Sequence, residues 1–296
     1  MAAVCDSDIE KAAALASFYN VPSLSEDQIF ADSTLEAVVI ASLAPLHIFH
    51  AKKALQAGKH VYIEKPMALT VRDAQTICSL AKETNRILMV GHILNYHPAF
   101  IKLKELLPQL GPLKHIYANR LSLGRFRHQE SVLWDLASHD VSLILSLVNE
   151  MPLTISPIWQ SFITPDVPAS ALLNLTFSKD LTAHIHASWL SPFKEQKLVV
   201  IGEKGITVFD DCKPWDEKLI LSKGCYYWNK GQIEANTQFQ AEPIPLPEAE
   251  PLKNECLHFL TSIKTGKTPL TSGEEGLRVT HILEIAENSL KERKII

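Results

Sequence analysis

Ala57-Gly58-Lys59-His60-Val61-Tyr62-Ile63-Glu64-Lys65-Pro66 is the stretch that decides how this chain is read. An apolar run, His60 to Ile63, ends in a charged pair and a proline, and a helix-like segment begins at Thr70. Ligands in open α/β sheets sit at strand ends, so a lysine there can hydrogen-bond a substrate hydroxyl or shuttle its proton. Pro66 fixes one backbone angle and stiffens the turn that aims the lysine. By itself Glu64-Lys65-Pro66 reads as a loop carrying an ordinary surface lysine, and only its surroundings can change that.

Upstream, Glu36 to Ile40 reads as a strand and Pro45 to about Gln56 as a helix closed by Gly58. Ala2 to Cys5 reads as a strand end, with N-capping residues at Asp6-Ser7-Asp8 and a helix through about Tyr19. Downstream come a helix from Thr70 to about Glu83 and a strand from Ile87 to Gly91. Strands alternating with helices imply parallel βαβ units with right-handed crossovers. The nearly unbroken apolar character of the runs EAVVI and ILMV fits strands covered on both faces.

From about Leu113 strand-like runs follow one another: Leu113 to Leu123, Ala171 to Phe177, Leu181 to Trp189, Lys197 to Ile201 and Ile206 to Asp210. Gly202-Glu203-Lys204-Gly205 reads as the hairpin turn joining the last two. Such a succession argues for an antiparallel sheet open on one face. Helices are expected over Asp135 to Val148, Leu252 to Lys264 and Glu274 to Lys291, with Pro243 to Pro251 as a surface connection. The domains implied are residues 1–95 and 96–296.

The 296 residues carry a net charge of -4 and a mean hydropathy of +0.03, which gives no electrostatic argument for nucleic acid or an anionic membrane as partner. Apolar stretches are broken well before about 18 residues, so no transmembrane helix is expected. No secretory signal is legible either, and the cytosol is the expected compartment. Cys5, Cys78, Cys212, Cys225 and Cys256 are far apart with no C-x-x-C pair, and read as reduced and mostly buried. His184 and His186 share one face of a strand as a metal pair would, but no third ligand is near in sequence, and no metal is expected.

A dinucleotide-binding βαβ unit opens with a strand, a G-x-G-x-x-G turn and a helix whose N-terminus receives the pyrophosphate. This chain has no glycine before Gly58. Asp6 nevertheless follows a strand where such a unit puts the carboxylate that binds the adenosine ribose, although a plain helix cap is the competing reading. The simplest interpretation is a sequence that begins at the second strand, with the first strand, its glycine turn and the first helix absent.

A second chemical signal is Asp135 and His139 in Trp134-Asp135-Leu136-Ala137-Ser138-His139. Four residues apart on a helix, the carboxylate can orient the imidazole. Together with Glu64-Lys65-Pro66, with AVCD at 3 to 6, EAVVIAS before His47, AGKHVYIEKPMALT at 57 to 70 and VGHILNYHPA at 90 to 99, the chain resembles the glucose-fructose oxidoreductase, inositol dehydrogenase and MocA-type family of NAD(P)-dependent oxidoreductases. The fold class implied is α/β: an N-terminally truncated Rossmann domain followed by an α/β domain with a large open antiparallel sheet.

The resemblance further implies that Lys65 contacts substrate and nicotinamide ribose. His139 takes the hydroxyl proton, and Asp135 binds a neighbouring sugar hydroxyl and holds His139. Glu64 would sit beside the nicotinamide, and Ala41, Ser42, Leu43 and His47 against the cofactor. Asp6, with Ser7, would favour NAD over NADP, because a carboxylate repels a 2′-phosphate. Ala41-Ser42-Leu43 departs from the family's A-T-P-N form, and Asn95, expected to touch substrate, stands where many members carry Arg. IYANRLSLGRFR at 116 to 127 and SWLSPFKEQKLVVIGEKGITVFDD at 188 to 211 resemble the subgroup oxidising the 3-hydroxyl of UDP-linked N-acetylated sugars or uronic acids. Arg120, Arg125 and Lys194 would then meet diphosphate or carboxylate. The alternatives are a free-sugar or inositol dehydrogenase and a truncated, non-catalytic family member. A homo-oligomer, dimer or tetramer, formed through the open sheet face is expected, because that face would otherwise expose a large apolar patch.

Overall fold

The structure is a computed structural model that describes all residues except Arg125, His128, Gln129, Ile163, Cys225, 236–239 and 293–296. In chain order its elements are α1 (Ile9–Tyr19), α2 (Glu26–Ala31), β1 (Ala37–Ile40), α3 (His47–Gln56), β2 (His60–Glu64), α4 (Val71–Glu83), β3 (Leu88–Gly91), α5 (Pro98–Leu110), β4 (Leu113–Leu123) and α6 (Ser138–Val148). There follow β5 (Thr154–Gln160), β6 (Ser170–Thr176), β7 (Thr182–Ser188), β8 (Leu190–Gly202), β9 (Gly205–Asp210), β10 (Leu219–Lys223), β11 (Tyr226–Asn229), β12 (Gln232–Ala235), β13 (Gln240–Pro243), α7 (Pro251–Thr265) and α8 (Gly273–Glu292). The chain forms two units, Met1–Gly91 with Phe259–Glu274, and His92–His258 with the chain from Glu275. The division therefore falls four residues before the expected boundary at 95, and a late segment joins the first unit.

That late segment is held by specific contacts. Thr271 Oγ1 donates to the Val90 carbonyl at 2.7 Å, Val90 N donates to the Thr271 carbonyl at 2.7 Å, and the Phe259 ring lies 5.8 Å from that of Tyr62. No local pattern in the sequence announces these pairings, because they are made by residues more than 150 positions apart.

In the first unit β1, β2 and β3 form a parallel sheet in that order, with Val61, Tyr62 and Ile63 of β2 buried between layers. Burying each such side chain contributes about 1.5 to 3 kcal/mol. Helix α3 stops where Gly58 takes φ +72°, a conformation open to glycine at little cost, and α4 starts where Thr70 Oγ1 accepts from Asp73 N at 3.1 Å. Lys59, inside the opening stretch, is structural: its Nζ donates to the carbonyls of Asp32 and Leu35 at 2.7 and 2.8 Å. The strand expected over Ala2 to Cys5 shrinks to a single bridge, Val4 with Ser23.

In the second unit eight strands run β13-β10-β9-β8-β4-β7-β6-β5. Described pairs are antiparallel except β4 with β7, which run parallel because the chain between them passes through α6 and the β5–β6 pair. The Gly202–Gly205 turn joins β8 to β9 in antiparallel register, Ile201 opposite Ile206. Ala183, Ile185 and Ala187 of β7 are buried, while His184 points to the opposite face and stacks on Tyr117 at 5.6 Å. Helix α5 has proline at its first position and Pro108 inside, which conceals it from periodicity; β5 tolerates Pro157 because it is the sheet's edge.

The cysteine expectation needs correction: Cys78 is buried, but Cys5, Cys212 and Cys256 are exposed, and Cys225 lies outside the described residues. Among the described residues no three His, Cys, Asp or Glu gather as a metal site, and no helix is long and apolar enough to cross a membrane.

The loop after β9 carries a charged cluster. Lys218 Nζ lies 2.8 Å from Asp211 Oδ1, His97 Nε2 lies 3.4 Å from it, and the His97 ring stacks on Trp215 at 5.3 Å. Burial alone would raise the Asp211 carboxyl, but hydrogen bonds from His97 and Lys218 and the lysine charge hold it at about 2. The folded value lies below the unfolded one of about 3.9, so this stabilisation is complete above that value and disappears as pH falls through about 2. Asp211→Asn is expected to lower stability at pH 7 by roughly 2 kcal/mol and by much less near pH 2, as urea midpoints at the two pH values will show.

Candidate active site

In the first unit the end of β2 and the loop after β1 form one constellation. Glu64 accepts from Tyr62 Oη at 3.4 Å and from Lys65 N at 3.3 Å. Its carboxylate lies over Gly91, the residue paired with it on β3; a Cβ at Gly91 would come within 2.9 Å of Tyr62 Oη and 3.0 Å of Glu64 Oε2. A side chain at this position would have to displace the Tyr62 hydroxyl and the Glu64 carboxylate. Lys65 follows, half-buried, at a cis bond to Pro66.

The expectation for His47 is a cofactor contact. The structure buries it, 1% exposed, with Nδ1 2.8 Å from the Pro66 carbonyl and Nε2 2.9 Å from the Ser42 carbonyl. One imidazole thus fastens the Ala41-Ser42-Leu43 loop to the Glu64-Lys65-Pro66 turn. Ser42 Oγ is itself 2.9 Å from His50 Nδ1, while Ala41 and Leu43 are exposed. As a positioning residue His47 should act on binding more than on chemistry: His47→Ala is expected to raise the cofactor KM by about tenfold with a smaller change in kcat, partly rescued by His47→Gln. Equal losses in both parameters would assign it a different role.

In the second unit Asp135 lies in a π-helical turn, Leu133–Ala137, that runs directly into α6. The expected single helix over Asp135 to Val148 is therefore interrupted, and π turns inside helices recur at functional sites. Trp189 Nε1 donates to Asp135 Oδ2 at 3.0 Å, and Arg127 Nη2 is 3.5 Å from its Oδ1. His139, one turn on, is half-buried. Sequence reasoning missed Trp189, whose only signal was a tryptophan closing an apolar strand.

Two expected substrate contacts are otherwise engaged. Arg120 is 7% exposed and clasps Asp140 with two hydrogen bonds, Nε to Oδ2 at 2.7 Å and Nη2 to Oδ1 at 2.8 Å. Asn95 is buried, and its Nδ2 donates to Ser142 Oγ at 2.8 Å; Ser142 Oγ donates to Glu275 Oε1 at 2.6 Å, and His92 Nδ1 is 2.7 Å from Glu275 Oε2. Both side chains, expected to meet substrate, are thus buried and bonded within the second unit. Lys194 is exposed, and Arg125 lies outside the described residues.

Asp6 is exposed, its Oδ1 accepting from Asp8 N at 2.9 Å and lying 3.5 Å from Ser7 Oγ. Asp8, in turn, caps α1 by accepting from Glu10 N and Lys11 N, both at 3.2 Å. The first amides of α1 thus already hold a carboxylate.

A parallel sheet closed by Glu64-Lys65-Pro66, joined in one chain to a large mostly antiparallel sheet with an Asp-x-x-x-His helix, defines an oxidoreductase of the Rossmann type. The chain belongs to the GFO/IDH/MocA family: residues 1–92 match the oxidoreductase family's NAD-binding Rossmann fold, and residues 115–208 match the GFO/IDH/MocA C-terminal domain. It is 26% identical over 281 residues to the UDP-N-acetylglucosamine 3-dehydrogenase of Acidithiobacillus ferrooxidans, covering 94% of this chain and 86% of that protein. It is 25% identical to the NADP-dependent scyllo-inositol 2-dehydrogenase IolW of Bacillus subtilis, over 91% of this chain and 81% of that one. A solved structure of the Acidithiobacillus ferrooxidans enzyme superposes with a TM-score of 0.86, covering 98% of this chain and 91% of that chain at 25% identity.

Proposed function

We propose that this family member oxidises a secondary hydroxyl of a sugar or sugar nucleotide, the 3-hydroxyl of a UDP-linked N-acetylated sugar, with NAD as hydride acceptor. The observation that carries the reading is the Asp135 carboxylate, held by Trp189 in a π turn immediately ahead of His139. In this assignment Lys65 hydrogen-bonds the reacting hydroxyl, His139 takes its proton, and Asp135 binds the neighbouring hydroxyl and orients the imidazole. The nicotinamide supplies the hydride acceptor when bound. Asp6 and Ser7 receive the adenosine ribose, and Asp6 disfavours a 2′-phosphate by charge. The likeness to the Acidithiobacillus ferrooxidans enzyme along most of the chain supports the UDP-sugar choice. The protein works in the cytosol as a homo-oligomer whose second copy covers the open sheet face, where Ile158 and Leu172 are exposed.

One observation favours a second reading, a free polyol or inositol: Arg120 is bound by Asp140 and presents no fork to a diphosphate. Comparing kcat/KM for UDP-N-acetylglucosamine, N-acetylglucosamine and scyllo-inositol, each with NAD and NADP, decides between them. A preference for the nucleotide sugar of less than about tenfold would abandon the UDP-sugar reading.

A further inference from the structure

Within the second unit His139 stands near the start of α6, and neither α6 nor the π turn that precedes it begins with a side-chain cap. The bonds that fasten this stretch come from distant parts of the chain. Ahead of His139, Trp189 holds Asp135. Behind it, Ser142 Oγ donates to Glu275 Oε1 at 2.6 Å and accepts from Asn95 Nδ2 at 2.8 Å, so both directions of the hydroxyl are used. Glu275, in the first turn of α8, has its other oxygen 2.7 Å from His92 Nδ1, and Asn95 N donates to the His92 carbonyl at 3.0 Å. None of these four residues is more than 7% exposed. Residues three or four apart are neighbours on a helix surface, so Asp135 and Ser142 both lie on the side of His139.

We propose that Glu275 is a positioning residue for the reaction: through Ser142 it fixes the turn of α6 that carries His139, and so the place from which the imidazole takes the proton. A carboxylate and an imidazole are costly to bury, and an apolar set of similar bulk commonly holds a fold as well or better. What the network supplies that apolar packing would not is direction. An ionised carboxylate only accepts, so its two oxygens set the orientation of the Ser142 hydroxyl and of the His92 ring together, and Asn95 locks the remaining lone pair of Ser142. Asp140, two positions from Ser142 and therefore facing away from it, ties α6 to β4 and leaves this setting to Glu275. Asn95 accordingly acts on Ser142. The inference rests on His139 being the base, as proposed above; the bonded network itself does not.

The test is a cycle of Glu275→Gln, Ser142→Ala and His139→Ala in the 296-residue chain. UDP-N-acetylglucosamine, N-acetylglucosamine and scyllo-inositol are each offered at saturating NAD, and urea midpoints check folding. Displacing a reacting group by about 1 Å costs about a hundredfold in rate. Glu275→Gln and Ser142→Ala are therefore each expected to lower kcat by about ten- to a hundredfold, with substrate KM held within about twofold. Added to His139→Ala, neither should lower the residual rate by more than about twofold, because the group through which they act is already gone. Unchanged kcat in both variants, with activity lost in His139→Ala, would overturn the inference and leave the base assignment standing. Losses that persist in full on top of His139→Ala would also overturn it, since they would make the network structural only. Near-normal turnover in His139→Ala, or no turnover of any of the three compounds, would overturn the base assignment and the inference with it. Should Glu275→Gln fail to fold, Ser142→Ala, which removes a single hydroxyl, decides alone.

Discussion

Asp140→Ala is expected to destabilise the second unit by about 3 to 5 kcal/mol, because it leaves the Arg120 guanidinium charged and buried without its carboxylate. Both groups lie in the interior, Arg120 on β4 and Asp140 on α6, and their two parallel hydrogen bonds join the helix to the sheet. Burial alone would lower the Arg120 pKa, but the Asp140 charge and hydrogen bonds raise it, so the arginine stays ionised across the whole working range. It follows that removing one partner is worse than removing both. The double variant Arg120→Met, Asp140→Leu, similar in bulk and apolar, should recover most of the stability lost in Asp140→Ala. Urea unfolding followed by tryptophan fluorescence measures each variant. Equal losses in the single and double variants would show that the cost is packing rather than an orphaned charge.

The second large effect concerns chemistry. His139→Ala and Lys65→Ala are each expected to lower kcat by about two to four decades, the usual contribution of a positioned proton-transfer group. The measurement belongs at saturating NAD, so that cofactor binding does not limit the rate. A base role for His139 also predicts an acid limb in the pH–rate profile that His139→Ala lacks. Near-normal turnover in that variant would remove it from the mechanism. Trp189→Phe separates positioning from chemistry: by deleting the donor to Asp135 it should raise the substrate KM by about tenfold while leaving that acid limb in place.

The chain illustrates two kinds of lysine, histidine and arginine that look alike in a sequence. Lys59 and Lys65 stand six positions apart in one stretch, yet Lys59 is bonded to two carbonyls inside the unit while Lys65 lies in the turn just after β2. His47 sits in a family motif and reads as a ligand contact, but both its ring nitrogens face backbone carbonyls. Arg120 reads as solvated charge until β4 meets α6.

What the sequence determined by itself is everything with a short period. The alternation around β7, the helical spacing of α4 with Thr70 as its cap, the Gly202–Gly205 hairpin and the family motifs at 57–70 and 135–139 are all legible within a dozen residues, because propensity, capping and pleat act locally. Only the tertiary structure decided which polar groups are already engaged. Trp189 reaches Asp135 from 54 positions away, Glu275 reaches His92 from 183, and Thr271 closes on Val90 from 181. Such pairings arise when buried polar groups must find a donor or acceptor in whatever element packs beside them, and packing order is set by the whole chain.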